Sequence, residues 1–283
     1  MFRRLAALAA ALALPALSAS ALEGKLKKIH DSKTVTLAYR TDAFPFSYEK
    51  DGQPAGYTVE LCKRVAASLE EQVGVKPLTV KWIAATTQNR IDVVKSGKAD
   101  VECGSTSATL SRMEQVDFSS PVFVDTTAVL ARKDIGANAL AGLAGKKIAV
   151  VTGTTNEQAL QDGLKGAMVS ATVVKVANRE EGVAALESGK ADALAGDRVL
   201  LLGLGAKVKD PSLYALLGDD LGLEAYALVL PRGDYTLRLA VNRALSRIYG
   251  SDAIVGVFRQ AFGPEVKPSP ALVVMYNLNA FPE

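Results

Sequence analysis

Three arginines and one aspartate stand where a fixed charge could do chemistry. Arg112 follows a run of small hydroxyls, Ser105, Thr106 and Ser107. A guanidinium so placed can grip a carboxylate through two parallel hydrogen bonds. The blander alternative is a surface arginine on a capped helix, because Ser111 and Glu114 have capping-box spacing. Thr154 and Glu157 have the same spacing. Thr154 and Thr155 therefore open a helix whose free N–H groups and dipole suit a carboxylate, or serve plain capping, or both. Asp197 ends a strand-like run and is either a fixed anion or a helix N-cap. Arg40 follows a β-rich run and Arg90 opens an amphipathic stretch; each is a site cation or a surface residue. His30 is the only histidine and precedes the first strand-like run, which removes His-based triads and His-rich metal sites. No phosphate loop of the P-loop form is present.

The elements that must position these groups come in two similar sets. The pentapeptide SGKAD occurs at Ser96–Asp100 and again at Ser188–Asp192. Each copy follows an amphipathic helical stretch, 89–95 or 180–187. Each precedes an apolar run ending in polar residues, Val101–Ser107 or Ala193–Asp197. The physical reading is a helix closed by glycine, Gly97 or Gly189, and a strand that delivers polar groups at its carboxyl end. SGKAD as a mere helix-to-strand turn is the alternative. Asp100 and Asp192 sit at strand starts and read as structural. Strands are expected at Thr34–Tyr39, Leu78–Ile83, Val101–Cys103, Lys147–Val151, Val173–Val176 and Ala225–Leu230. Ser119–Val124 and Ala128–Ala131 read as two extended pieces, with a crossing at Arg132–Asn138. Helices are expected at Val59–Leu69, Thr236–Tyr249 and Ile254–Phe262, and the tail from Gly263 gives no clear signal. This alternation predicts an α/β fold with mainly parallel sheets. The chain would cross between two lobes near Ala131 and again near Leu230, with the final helices returning to the first lobe. That gives 22–131 plus 231–283 for one lobe and 132–230 for the other.

The first 21 residues read as a secretory leader: Arg3 and Arg4, an apolar Leu5–Leu17, and a small-residue site at Ala19-Ser20-Ala21, with cleavage expected after Ala21. The apolar run is short for a membrane span. Formal net charge is +3, and the leader holds two of the arginines, so no basic excess speaks for nucleic acid. Export places Cys62 and Cys103 in an oxidising compartment. A helix packed on its sheet could bring them together, and two buried free thiols are the alternative.

Several stretches taken together carry a family resemblance: Tyr39–Tyr48 (YRTDAFPFSY), Gly56-Tyr57, Thr87–Ile91 (TQNRI), Val101–Ser107 (VECGSTS), Arg112 with Asp117-Phe118-Ser119, Gly153-Thr154-Thr155, and Leu186–Asp192 with Asp197. On these the chain resembles the periplasmic solute-binding proteins of amino-acid ABC importers, above all the glutamate/aspartate-binding members. The resemblance implies two Rossmann-like lobes joined by two crossing strands, with a ligand held in the interlobe cleft (periplasmic binding protein type II-like). It implies that Arg112 takes the α-carboxylate, Asp197 the α-ammonium, and Arg40 and Arg90 the side-chain carboxylate. Thr87, Ser105, Ser107, Thr154 and Thr155 join them at the pocket. Arg179 departs from the pattern, standing where a histidine is expected, and adds a cation there. The expected partners are an acidic amino acid and an inner-membrane ABC permease. The chain is expected to act as a periplasmic monomer without nucleic acid, metal or other cofactor. Three rival readings are a neutral polar amino-acid (Gln/Asn) binder, a cyclohexadienyl dehydratase-like enzyme on the same fold, and a sensory domain. The enzyme needs a positioned general acid; no strand-end carboxylate reads as one, and Glu102 reads as an ordinary sheet residue.

Overall fold

The computed structural model describes residues 22–205 and 208–282. The leader read at Met1–Ala21 lies outside the described residues. The chain opens with α1 (Gly24–Ser32), β1 (Thr34–Arg40) and a small antiparallel sheet of β2 (Asp42–Ala43), β3 (Ser47–Lys50) and β4 (Gln53–Ala55). Next come α2 (Tyr57–Val73), β5 (Thr79–Ala85), α3 (Asp92–Lys95), β6 (Val101–Glu102), α4 (Leu110–Met113) and β7 (Asp117–Arg132). The second half runs β8 (Lys147–Val151), α5 (Thr155–Gly166), β9 (Thr172–Val176), α6 (Arg179–Glu187), β10 (Ala193–Asp197), α7 (Arg198–Gly205), β11 (Tyr214–Leu216) and β12 (Gly222–Leu230). Helices α8 (Tyr235–Tyr249), α9 (Ala253–Phe262) and α10 (Pro270–Asn279) finish it.

One sheet runs through the molecule in the order β5-β1-β6-β12-β7-β10-β8-β9, with β11 on β7. β5, β1 and β6 are parallel, and so are β10, β8 and β9. Each half thus places its first strand between its second and third. The antiparallel pair β7 and β12 joins the two triplets. Val122 and Phe123 on β7 belong to one apolar core, and Val129 and Ala131 to another. The expected break between two extended pieces is therefore absent: β7 is one continuous strand, and Asp125-Thr126-Thr127 interrupts its apolar run where the strand passes between the cores.

The two SGKAD copies occupy equivalent places. Gly97 and Gly189 both take left-handed backbone, with φ of 75° and 72°, a conformation that costs glycine little. The Asp100 carboxylate accepts the N–H of Thr36 at the start of β1, at 2.9 Å. The Asp192 carboxylate accepts the N–H of Lys147 at the start of β8, at 2.8 Å. The motif is thus a strand-registering device used twice.

Gly56 sits at φ 119°, and a Cβ there would meet the Phe46 carbonyl oxygen at 2.4 Å, so only glycine lets the hairpin pack on the start of α2. Cys62 on α2 and Cys103 after β6 form a disulfide, with their Cα atoms 6.2 Å apart. Several elements lack a sequence-based expectation: α1, the small sheet β2–β4 (its first part, Arg40–Tyr48, reads as a loop from sequence), α7, β11 and α10. For α10 the signal exists: Ser269 caps, Pro270 takes the first turn, and Leu272, Met275 and Tyr276 face the core. Among the described residues no helix is long and apolar enough to cross a membrane.

Candidate functional site

The carboxyl ends of the parallel strands converge on one small, polar pocket. Its lining brings together all ten ligand-binding candidates, Arg40, Thr87, Arg90, Ser105, Ser107, Arg112, Thr154, Thr155, Arg179 and Asp197, and adds Asn156. Larger hollows lie elsewhere, such as the groove between α9 and α10 and an acidic groove lined by Asp42, Glu49, Glu180 and Glu187.

Arg40 ends β1 and is 1 % exposed. Its Nη2 donates to both oxygens of Asp42, at 2.6 and 2.8 Å, and to the Thr87 hydroxyl. Arg90 is 5 % exposed. The expectation that it opens a helix is corrected: α3 starts only at Asp92, and Arg90 occupies the turn before it. Reciprocal bonds between Thr86 and Asn89 close that turn. The Arg90 guanidinium donates to the Thr87 carbonyl, and its Nε is buried without a partner. Arg112 lies on α4, whose cap is Thr109 and not Ser111, because the Thr109 hydroxyl accepts the Arg112 N–H. The Arg112 side chain donates to the Ser107 carbonyl at 2.8 Å and, reaching the other half, to the Gly153 carbonyl at 3.5 Å.

From the second half, Thr154 caps α5, accepting the Glu157 N–H and donating to the Val151 carbonyl. Arg179 opens α6 and reaches Asp42 at 3.3 Å and Asp197 at 3.5 Å. Asp197 ends β10 and accepts from the Asn156 amide at 3.1 Å. Among the described residues neither Arg90 nor Arg112 has a carboxylate within salt-bridge distance, 4.0 Å.

Four site groups escape the sequence reading. Asp42 pairs with two arginines. Asn156 ties Asp197 to Thr127. Glu224 on β12 is buried and accepts from Ser107, Thr127 and Thr155. Glu102, read as an ordinary sheet residue, is 0 % exposed, and one of its carboxylate oxygens has no partner. Glu102 thus departs from the expectation of an ordinary sheet residue, although it does not line the pocket. β6 lies between β1 and β12, covered on both faces, so a residue alternating away from Cys103 lands beneath the arginines. The usable signal was that alternation in a central strand.

Charge in this confined space shifts titration. Burial, reinforced by Arg112 and Arg40, lowers Arg90 to about 9. Burial also lowers Arg40, aided by Arg179, and lowers Arg112. It raises Glu102 against the pull of Arg40 and Arg90, and, reinforced by the charge of Asp197, it raises Glu224. Such a site attracts anions at Arg90 and Arg112 and offers a cationic group the Asp197–Glu224 side. Buried charge without a counter-ion is costly, so a ligand that supplies one gains that cost back.

Comparison with known proteins agrees with this chemistry. The family described as bacterial extracellular solute-binding proteins, family 3, matches residues 35–264. An L-glutamate/L-aspartate-binding protein of Pseudomonas aeruginosa is 31 % identical over 264 residues, covering 93 % of this chain and 87 % of that one. A glutamate/aspartate import solute-binding protein of Escherichia coli is 29 % identical over 263 residues, with coverage of 93 % and 87 %. An ancestral amino acid-binding protein, a precursor of cyclohexadienyl dehydratase, superposes with a TM-score of 0.72 at 25 % identity, over 84 % of this chain and 100 % of that one.

Proposed function

The chain belongs to family 3 of the bacterial extracellular solute-binding proteins, and we propose that it captures L-glutamate or L-aspartate and delivers it to an ABC permease of the inner membrane. One observation carries the ligand reading: Arg90 and Arg112 are guanidiniums without a carboxylate partner among the described residues, opposite a buried Asp197. A dicarboxylic amino acid supplies the two missing carboxylates and one ammonium. A neutral amide supplies one carboxylate and leaves Arg90 uncompensated, a difference of roughly 2–5 kcal/mol. The relatives' names point the same way.

The mechanism is hinge closure. The halves act as lobes and the strands β7 and β12 as the crossings. The change of core along β7 supports placing one crossing near Asp125–Thr127, a few residues before the Ala131 end read from the sequence. Arg112 bonded to Gly153 and Arg179 bonded to Asp42 tie one half to the other. A ligand that bonds both halves favours the closed state by its differential affinity. The chain works as a monomer outside the cytoplasmic membrane, after cleavage behind Ala21. It binds without turnover: Glu102 sits beneath the arginines as their counter-charge, with Thr106 donating to it.

Isothermal titration of the refolded mature protein with Glu, Asp, Gln, Asn and prephenate tests this. Tight Glu or Asp binding with weak Gln and Asn is the expected result. Tight binding of a neutral amino acid overturns the specificity, and turnover of prephenate overturns the importer reading.

A further inference from the structure

Asp42 lies two residues beyond Arg40, on β2, where the chain turns back into the small sheet. Its carboxylate takes two bonds from Arg40 and one from Arg179. Arg179 in turn reaches Asp197. Four alternating charges, Arg40–Asp42–Arg179–Asp197, therefore run from the end of β1 to the end of β10, joining the halves. Two cations and two anions balance. The pocket's remaining cations, Arg90 and Arg112, have no such partners among the described residues. Asp42 also forms the boundary of the pocket: its outer side lines a separate groove with Phe44, Tyr48, Glu49 and Glu180. Burial works to raise its carboxyl, yet Arg40 and Arg179 outweigh this and hold it below the usual range, so it is an anion throughout the physiological range.

On the acidic-ligand reading above, we propose that Asp42 is a specificity-determining residue, an internal carboxylate that satisfies Arg40 and Arg179. It leaves Arg90 and Arg112 as the two cations open to a ligand. The pocket then accepts two carboxylates and not more, although four arginines line it. Asp42 competes with the ligand's distal carboxylate for Arg40, and so lowers affinity for dicarboxylates in exchange for a balanced ligand-free site.

The test is titration of wild type and Asp42→Asn with Glu, Asp, Gln and Asn, with thermal midpoints measured with and without ligand. The Asn side chain keeps the shape and removes the charge. Expected are a lower ligand-free midpoint, a larger ligand-induced rise, and dicarboxylate affinity tighter by about tenfold or more, with little gain for the amides. Loss of affinity for acids and amides alike makes Asp42 a clasp for closure and overturns the proposal, as does unchanged affinity. If Asp42→Asn fails to fold, Asp42→Ser decides by the same titrations: tighter Glu and Asp binding with little change for Gln and Asn supports the role, and unchanged or uniformly weaker binding overturns it. Wild type that binds neither Glu nor Asp sinks the acidic-ligand reading together with this one. Wild-type binding without the expected variant response sinks only the role of Asp42.

Discussion

Arg90 combines two properties that a surface arginine lacks, near-complete burial and no carboxylate within salt-bridge reach among the described residues. Its folded pKa of about 9 lies below the ordinary guanidinium range. For a base lowered in this way, the cost of keeping it charged is complete below about pH 9 and lifts only as pH climbs above that towards the ordinary guanidinium range. At neutral pH Arg90 therefore destabilises the ligand-free protein. Arg90→Met should raise the ligand-free thermal midpoint by at least about 3 °C while weakening Glu and Asp binding by about thirtyfold or more. Scanning calorimetry and titration check this, and a lower midpoint would show that Arg90 is satisfied some other way. Arg112→Gln should weaken acids and amides alike, because both carry an α-carboxylate, whereas Arg90→Met should weaken chiefly the acids. These arginines reach one pocket because each sits beside a strand end or a capped helix, where position follows from element. Asp42, Glu102 and Glu224 were hidden for the complementary reason. Their role depends on which strands lie next to theirs, and strand order is not written in any local stretch.

The elements that set this geometry are stapled by identical short devices with unequal strength. Asp100 is fully buried and receives Lys25 at 3.1 Å, Lys28 at 2.9 Å and the Thr36 N–H. Asp192 receives the Lys147 N–H in a more exposed setting. Asp100→Ala strands the first strand's N–H and two ammoniums, and should cost about 3 kcal/mol, against about 1 kcal/mol for Asp192→Ala. Urea unfolding of the two variants decides; equal costs would mean that the lysines contribute nothing. The Cys62–Cys103 bond closes a sequence separation of 41 residues between α2 and the end of β6. In the chain-entropy account that is worth about 4 kcal/mol. The Cys62→Ser/Cys103→Ser variant should lose most of that in the same experiment. SGKAD was readable as a pair because its glycine and aspartate each answer a local need, a left-handed cap and a strand-start acceptor. α4 was misplaced at its start because Thr109 and Ser111 both offer a capping hydroxyl, and only the Arg112 N–H direction distinguishes them.

At the scale of the whole molecule, β7 was the hardest element to read. A strand that serves two cores must change environment midway, and the polar triplet Asp125-Thr126-Thr127 looks like an ending when seen alone. Its burial has a thermodynamic consequence. The Asp125 carboxylate accepts the N–H groups of Thr126 and Val199 and the hydroxyl of Tyr226, yet burial and the nearby Asp197 raise it to about 7. Glu102 and Glu224 are raised as well, both chiefly by burial. For a carboxyl raised on folding, the folded state holds a proton that the unfolded state has released. Stability therefore falls as pH rises from the ordinary carboxyl range, about 4, through the folded value near 7, and the loss is complete above it. Groups shifted the other way, Asp42 and Glu157 among them, release their protons below the ordinary range, so they add no opposing slope between pH 5 and 8. Urea unfolding at pH 5, 6, 7 and 8 should show stability declining across this window by a few kcal/mol, about 1.4 kcal/mol for each pH unit between the unfolded and folded titrations. Asp125→Asn, which keeps the shape and cannot ionise, should flatten much of that slope and leave the protein more stable than wild type at pH 8. A profile in the variant as steep as wild type would assign the decline to Glu102 and Glu224. A wild-type profile that rises from pH 5 to 8 would mean that the crossing strand keeps its carboxylate charged at no cost, and that the closed arrangement of β7 and β12 tolerates an anion at its centre.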